Sequence, residues 1–214
     1  MDPDRFLREL HDRFEDFRRS ELPRDLRFAE ILDAVPGLAR PNNLALLNAA
    51  ASCLDAGESY VEVGTYRGTS LIAAMLDNDG EFVAIDNWSL GDGSREQLER
   101  NLARFGFAGR AELIEGDAFE TLRSGKLAGR AVGVYYYDNG HEYEQQLDGM
   151  RLIEAYLTSP ALVIVDDTDW ERVEQAVEDY LVQQPRATEM LRIDGKGRGA
   201  PRWWEGMRVL RWDN

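Results

Sequence analysis

Tyr60-Val61-Glu62-Val63-Gly64-Thr65-Tyr66-Arg67-Gly68-Thr69-Ser70 is the stretch that decides the fold. A β-prone run ends at Val63, Gly64 follows, and Gly68 opens a stretch of helical character. Gly64 has no Cβ, so the chain there is free to turn sharply and approach a ligand. Gly68 stands at a helix start, where unpaired N–H groups attract a carboxylate. The Gly-x-x-x-Gly spacing differs from the Gly-x-Gly-x-x-Gly of dinucleotide folds. A ligand with an amino-acid-like carboxylate and ammonium therefore fits better than a pyrophosphate, with Glu62 facing the ammonium.

Outward from that stretch, short β-rich runs alternate with longer helical ones. The strand runs are Tyr60–Val63, Phe82–Ile85, Ala111–Glu115, Ala131–Tyr137 and Ala161–Val165. Helical patterns lie between them at Thr69–Leu76, Ser94–Phe105, Ala118–Leu122 and Tyr143–Leu157. Such alternation predicts βαβ units, whose right-handed crossovers build a parallel sheet with helices on both faces. A helix over Trp170–Val182 precedes two last runs, Glu189–Ile193 and Met207–Trp212, which predict an antiparallel pair. The glycine-rich segment 194–201 between them reads as a mobile hairpin loop. Before Tyr60, helical stretches are expected at Asp4–Leu22, Asp25–Ala34 and Asn43–Ala56. Residues 1–40 read as an N-terminal helical appendage and 41–214 as the ligand-binding domain.

The chain has 214 residues and a formal charge of −15. That charge repels phosphate backbones over most of a surface, so nucleic acid is not an expected partner. No apolar run approaches the ~20 residues of a membrane span, and no signal-peptide pattern follows the charged Met1–Arg5, so no membrane partner and a cytoplasmic location are expected. The single cysteine, Cys53, excludes an internal disulfide framework.

Acids recur at strand ends. Asp86 follows the second strand, about 20 residues after the glycine turn, where a carboxylate can accept from both ribose hydroxyls. Asp117 follows the third strand and could accept from an adenine amino group; capping the next helix is its plainer task. Asp138 ends the fourth strand in Asp138-Asn139-Gly140-His141, and Asp166-Asp167 end the fifth. In a doubly wound sheet these last two ends lie side by side. Two like charges ~4 Å apart repel by about 1 kcal/mol in water and about 4 at an effective dielectric of 20. No Lys or Arg adjoins either cluster, so a divalent cation or a raised pKa must offset the repulsion. Oxygen ligands favour Mg²⁺, with Mn²⁺ or Ca²⁺ as alternatives. His141 is placed to act as a base near neutral pH, and packing is the expected lot of most of Tyr135, Tyr136 and Tyr137, with Tyr137 nearest the site.

Taken in order, Val61–Gly68, Asp86 and Gly116-Asp117 resemble the first motifs of class I S-adenosylmethionine (SAM)-dependent methyltransferases. The resemblance is strongest to small bacterial metal-dependent O-methyltransferases of the macrocin and sugar type. It implies a Rossmann-like, seven-stranded sheet of order 3-2-1-4-5-7-6 with strand 7 antiparallel. It also implies SAM contacts from Glu62, Gly64, Thr65, Tyr66, Arg67, Gly68, Ser70, Asp86, Asn87, Trp88, Asp117, Ala118 and Asp138. Asp138, Asp166 and Asp167 would hold a metal, and Asp138 or His141 would take the proton of the acceptor. The chain departs from those relatives at Asp-Asn-Gly-His, where they show Asp-Gly-Asp-His, and at Ser159-Pro160-Ala161, where they show Pro-Gly-Gly. The implied function is O-methylation of a hydroxylated small molecule, a sugar or a catechol-like ring, by a homodimer. A relative using the same acids for hydroxylation, or a SAM-binding accessory subunit, are the alternatives.

Overall fold

Seven strands form one sheet in the order β3-β2-β1-β4-β5-β7-β6. They are β1 (Glu58–Val63), β2 (Glu81–Asp86), β3 (Ala111–Glu115), β4 (Ala131–Tyr137), β5 (Leu157–Asp166), β6 (Ala187–Ile193) and β7 (Met207–Trp212). Pairings from β3 across to β5 are parallel, and β7 runs antiparallel to both β5 and β6. Both the order implied by the resemblance and the closing antiparallel pair are present. The computed structural model describes residues 1–195 and 202–213, so most of the anticipated loop at 194–201 lies outside the described residues.

Strand alternation sorts side chains onto two faces. Tyr60, Phe82, Val134, Tyr136 and Ile164 face one way, beneath α1 (Pro3–Arg13), α2 (Arg27–Ala34), α3 (Pro41–Ser52), α4 (Thr69–Met75) and α5 (Arg95–Arg104). Val61, Val83, Tyr135, Tyr137 and Val163 face the other way, beneath α6 (Ala118–Arg123), α7 (Tyr143–Ile153) and α8 (Glu171–Gln183). Both faces being covered explains why the central strands read as near-continuous apolar runs. None of the described helices is long and apolar enough to cross a membrane.

Three expected helix ends move, one of them that of α3, which stops at Ser52 rather than at Ala56. The first helix stops at Arg13 rather than near Leu22, because the chain turns extended at Phe14 and Arg24 holds the turn. The Arg24 backbone N–H donates to the Arg13 carbonyl and its Nε to the Phe14 carbonyl. Phe14 still buries its ring and Phe17 part of its own, but against Trp203, at centroid distances of 5.9 and 6.1 Å. The helix expected to run to Leu157 ends at Ile153, and Leu157 opens β5 by pairing with Val132 of β4.

The final strand carries a charge into the sheet. Arg208 is 1% exposed and donates to Glu189 at 2.5 Å, Glu178 at 2.8 Å and Glu174 at 3.3 Å. Several carboxylates around one guanidinium compensate its loss of water.

Candidate active site

The carboxyl ends of β1, β2, β4 and β5 open onto one cleft of about 300 Å³. Gly64–Tyr66, Ser70, Asp86, Asn87, Asp138–His141 and Asp167 line it from the sheet side. A larger groove of about 810 Å³ lies at the amino ends of the strands, around Gly57, Glu58 and Glu81. Charges of both signs there pair with one another, as Arg27 does with Asp25 at 2.7 Å and Asp77 at 2.6 Å. The described lining of the cleft includes no Lys or Arg, and of its acids Asp167 is met by His141.

The glycine turn is built as the sequence suggests, with one change of reason. Gly64 has φ +88°, a left-handed conformation that L side chains avoid, and a Cβ on it would fall 1.7 Å from the Asp138 carbonyl oxygen. The close approach that requires glycine is thus to the next strand. Gly68, at φ +89°, begins α4 and would collide only with the end of the Leu98 side chain.

Glu62 lies under the floor rather than in the cleft. It is fully buried, accepts from Tyr60 Oη at 3.0 Å and Ser70 Oγ at 3.1 Å, and leaves Ser70 as the group that reaches the surface of the cleft. Burial pushes its carboxyl up to about 7, against the stabilising pull of the surrounding hydroxyls. Asp86 does face the cleft, and its two oxygens accept from the Tyr66 and Trp88 backbone N–H groups, each at 2.6 Å. These bonds fix the carboxylate's plane while leaving lone pairs for a ligand.

Arg67 and Trp88 turn away from the cleft. Arg67 pairs with Asp92, donates to the Pro36 carbonyl at 3.3 Å and lies over the Tyr66 ring at 4.8 Å. Tyr66 Oη also donates to Asp92, at 2.5 Å, so both side chains anchor the loop after β2. Trp88 packs on the core and donates from Nε1 to the Tyr66 carbonyl at 2.9 Å. Asp117 caps α6 by accepting from the Glu120 N–H at 2.8 Å; neither it nor Ala118 lines the cleft. Asn87 lines the cleft with its Oδ1 turned back to the Ser89 N–H.

Around the reacting end, one ligand atom each from Asp138, His141 and Asp167 lie within 4.8 Å of one another. His141 Nε2 is 2.5 Å from Asp167 Oδ2, and its ring stacks on Trp170 at 4.8 Å. Asp166 does not join this set. It is 3% exposed, accepts from Tyr136 Oη and takes the Asp167 N–H on its other oxygen. Tyr136 Oη also lies 3.3 Å from Asp138 Oδ2, so one buried hydroxyl spans the acids of β4 and β5. Burial raises the Asp138 and Asp166 carboxyls well above the usual range, and repulsion from neighbouring acids adds to it. Tyr66, Trp88 and Asp167 all adopt positive φ, placing three strained non-glycine residues in the loops around this edge.

Sequence reasoning placed Tyr137 nearest the site, yet its hydroxyl turns to the Gln145 carbonyl and Tyr136 is the one that lines the cleft. It also missed the opposite wall: Gly37, Leu38, Ala39, Asn43, Leu44 and Leu47 from the N-terminal part, and Trp204 from the arm before β7. The Pro36-Gly37 break was visible; which face of α3 covers a site opposite it was not.

The sequence profile of a family described as a methyltransferase domain matches residues 61–168, half of the chain. No curated protein matches. Among solved structures, the chain is similar to the O-methyltransferase TomG from Streptomyces achromogenes, solved with SAM, at 20% identity over 90% of this chain and 92% of that one, with a TM-score of 0.66. An O-methyltransferase from Bacillus cereus in complex with S-adenosylhomocysteine (SAH) matches at 14% identity over 90% and 93%, with a TM-score of 0.64. The TDP-rhamnose 3'-O-methyltransferase of calicheamicin biosynthesis matches at 20% identity over 89% and 82%, with a TM-score of 0.57. These likenesses concern the fold, whereas the profile match runs from the glycine turn to the Asp166-Asp167 pair, and on that ground the chain belongs to the methyltransferase-domain family.

Proposed function

We propose that the cleft binds SAM and that the protein methylates a hydroxyl oxygen of a small molecule with the help of a divalent cation. The observation that carries this reading is an acid-lined cleft at the strand ends with no Lys or Arg among its described lining residues. A ligand bearing a sulfonium and an ammonium suits that lining, and ribose hydroxyls suit the oriented carboxylate of Asp86. When bound, SAM supplies an electrophilic methyl group. Gly64–Tyr66 and Ser70 would hold its amino-acid end, and Asp86 with Asn87 its ribose.

The donor set also fits a hard divalent ion. Asp138 and Asp167 would hold it, and the ion would lower the pKa of the acceptor hydroxyl. The chain's own part is to place the acceptor and receive its proton. His141 is oriented by Asp167 and by the Trp170 ring, and Asp167 stabilises the imidazolium formed when His141 takes that proton. Most of the acceleration would come from positioning and charge.

Calorimetry with SAH tests the binding half, and methyl transfer from SAM to hydroxylated acceptors tests the chemistry. SAH is expected to bind and NAD to give no heat. A folded protein that fails to bind either SAM or SAH would overturn the reading.

A further inference from the structure

Two loops from distant parts of the chain form rims of the cleft. One, residues 35–40, leads into α3 and lends Gly37, Leu38 and Ala39 to the wall. The other, residues 87–94, follows β2 and lends Asn87, Ser89 and Leu90. Leu38 and Leu90 are 59% and 61% exposed, so each rim carries an apolar side chain with cover to gain from a ligand.

One side chain holds both rims. Arg67, on the glycine turn, donates from Nη1 to the Pro36 carbonyl at 3.3 Å and pairs through Nη2 with Asp92. Each rim is also seated on a neighbour of Arg67. Thr69 Oγ1 donates to the Val35 carbonyl at 2.9 Å, and Tyr66 Oη donates to Asp92 Oδ1 at 2.5 Å. Gly93 lies so close over the Tyr66 ring that a Cβ on it would fall 2.5 Å from a ring carbon. The two ends of the pair differ in freedom. The Arg67 side chain is 18% exposed and its backbone carbonyl is held by Asn101 Nδ2 at 2.9 Å, whereas the Asp92 side chain is 75% exposed. Water can solvate a released Asp92 at little cost, so the rim after β2 is the one that opens most easily.

We propose that Arg67 is a positioning residue that clasps both rims of the cofactor cleft, and that opening of the Arg67–Asp92 pair sets how fast a bound SAM-class ligand leaves. This rests on the SAM reading above and adds to it a control over release. A ligand seated under both rims leaves when one of them moves. Losing Asp92 alone removes an exposed ion pair, worth up to about five-fold in an equilibrium. Losing Arg67 also frees the Pro36 rim and the face of the Tyr66 ring, so its effect is the larger.

The test chases radiolabelled SAH from the whole protein with excess unlabelled SAH. Asp92→Asn should speed release about three-fold and Arg67→Met about ten-fold, with association rates changed less than about two-fold. The double variant should release no faster than Arg67→Met, because the two residues act through one contact. Raising NaCl from about 50 to about 500 mM should speed release from the wild type and leave Asp92→Asn unmoved, as screening weakens an exposed pair. A loss of general stability alone would produce neither the coupling nor this salt signature. Wild-type release rates in Asp92→Asn, whose exposed site leaves folding intact, overturn the proposal, as does a double variant about thirty-fold faster than wild type. Failure of the wild type to bind SAH at all instead overturns the SAM reading itself.

Discussion

The Asp138 carbonyl oxygen occupies the space that a side chain on Gly64 would need. A Cβ there would sit 1.7 Å from that oxygen and 2.7 Å from its carbon, both backbone atoms of the adjoining strand end. The same contact brings the glycine turn against Asp138, so the loops after β1 and β4 are one packed unit.

Gly64→Ala is therefore expected to cost on the order of 3 kcal/mol or more, from left-handed backbone and from forcing β1 and β4 apart at their ends. Gly68→Ala meets only the movable end of Leu98 and should cost about 1–2 kcal/mol. Urea unfolding of the two variants gives the comparison. Equal losses would mean that the Asp138 contact is relieved without strain.

Glu62 predicts a pH effect of defined sign. Its carboxyl titrates at about 7 when folded, against 4.5 as the ordinary value. As pH rises through that window the unfolded chain gives up this proton first, so the folded state loses stability; at lower pH both states are protonated and nothing is lost. Glu62→Gln stays neutral throughout, keeps one acceptor for the neighbouring hydroxyls and offers its amide to the other. Relative to wild type it should gain on the order of 3 kcal/mol between about pH 4 and about pH 8. A stability difference that does not vary with pH would show that the acid is not shifted.

Divalent metal should raise the unfolding midpoint of the wild type. At a concentration one hundred times its Kd, Mn²⁺ would add about 2.7 kcal/mol. Asp167→Asn is the chosen variant because asparagine tolerates the positive φ of 56° that Asp167 adopts. The metal-dependent shift should largely vanish in it, and a shift as large as that of the wild type would sink the metal site.

Replacing His141 separates chemistry from binding. His141→Gln should lower kcat by about 10²–10⁴-fold while leaving SAH affinity unchanged. Single-turnover methyl transfer measures the first and calorimetry the second. If kcat is unaltered, the proton goes elsewhere, and Asp138 becomes the group to test.

Much of this was legible in the chain because its signals are local. The runs at β1, β2 and β4 announce themselves by composition, and Asp86, Asp138 and Asp166 follow from where those runs stop. What could not be read depends on partners far along the sequence. On paper Tyr137 stands nearest the site because it ends the strand, and only the covering of both sheet faces decides that Tyr136 reaches the acids instead. Asn43 and Trp204 meet across most of the chain, with nothing in either neighbourhood to announce it. Glu62 was legible as an acid beside the turn; its depth below the floor came from Tyr60 and Ser70 closing over it.

The placement of β7 between β5 and β6 bears on synthesis. Until residues 207–212 have left the ribosome, β5 has a bare edge from Ala161 to Asp166 and β6 has no strand to pair with. A nascent chain halted before Met207 would offer open hydrogen-bonding edges, one of them on an apolar strand, to any neighbouring polypeptide. Emergence of β7 thus covers the open edge of β5 and gives β6 its partner in one step.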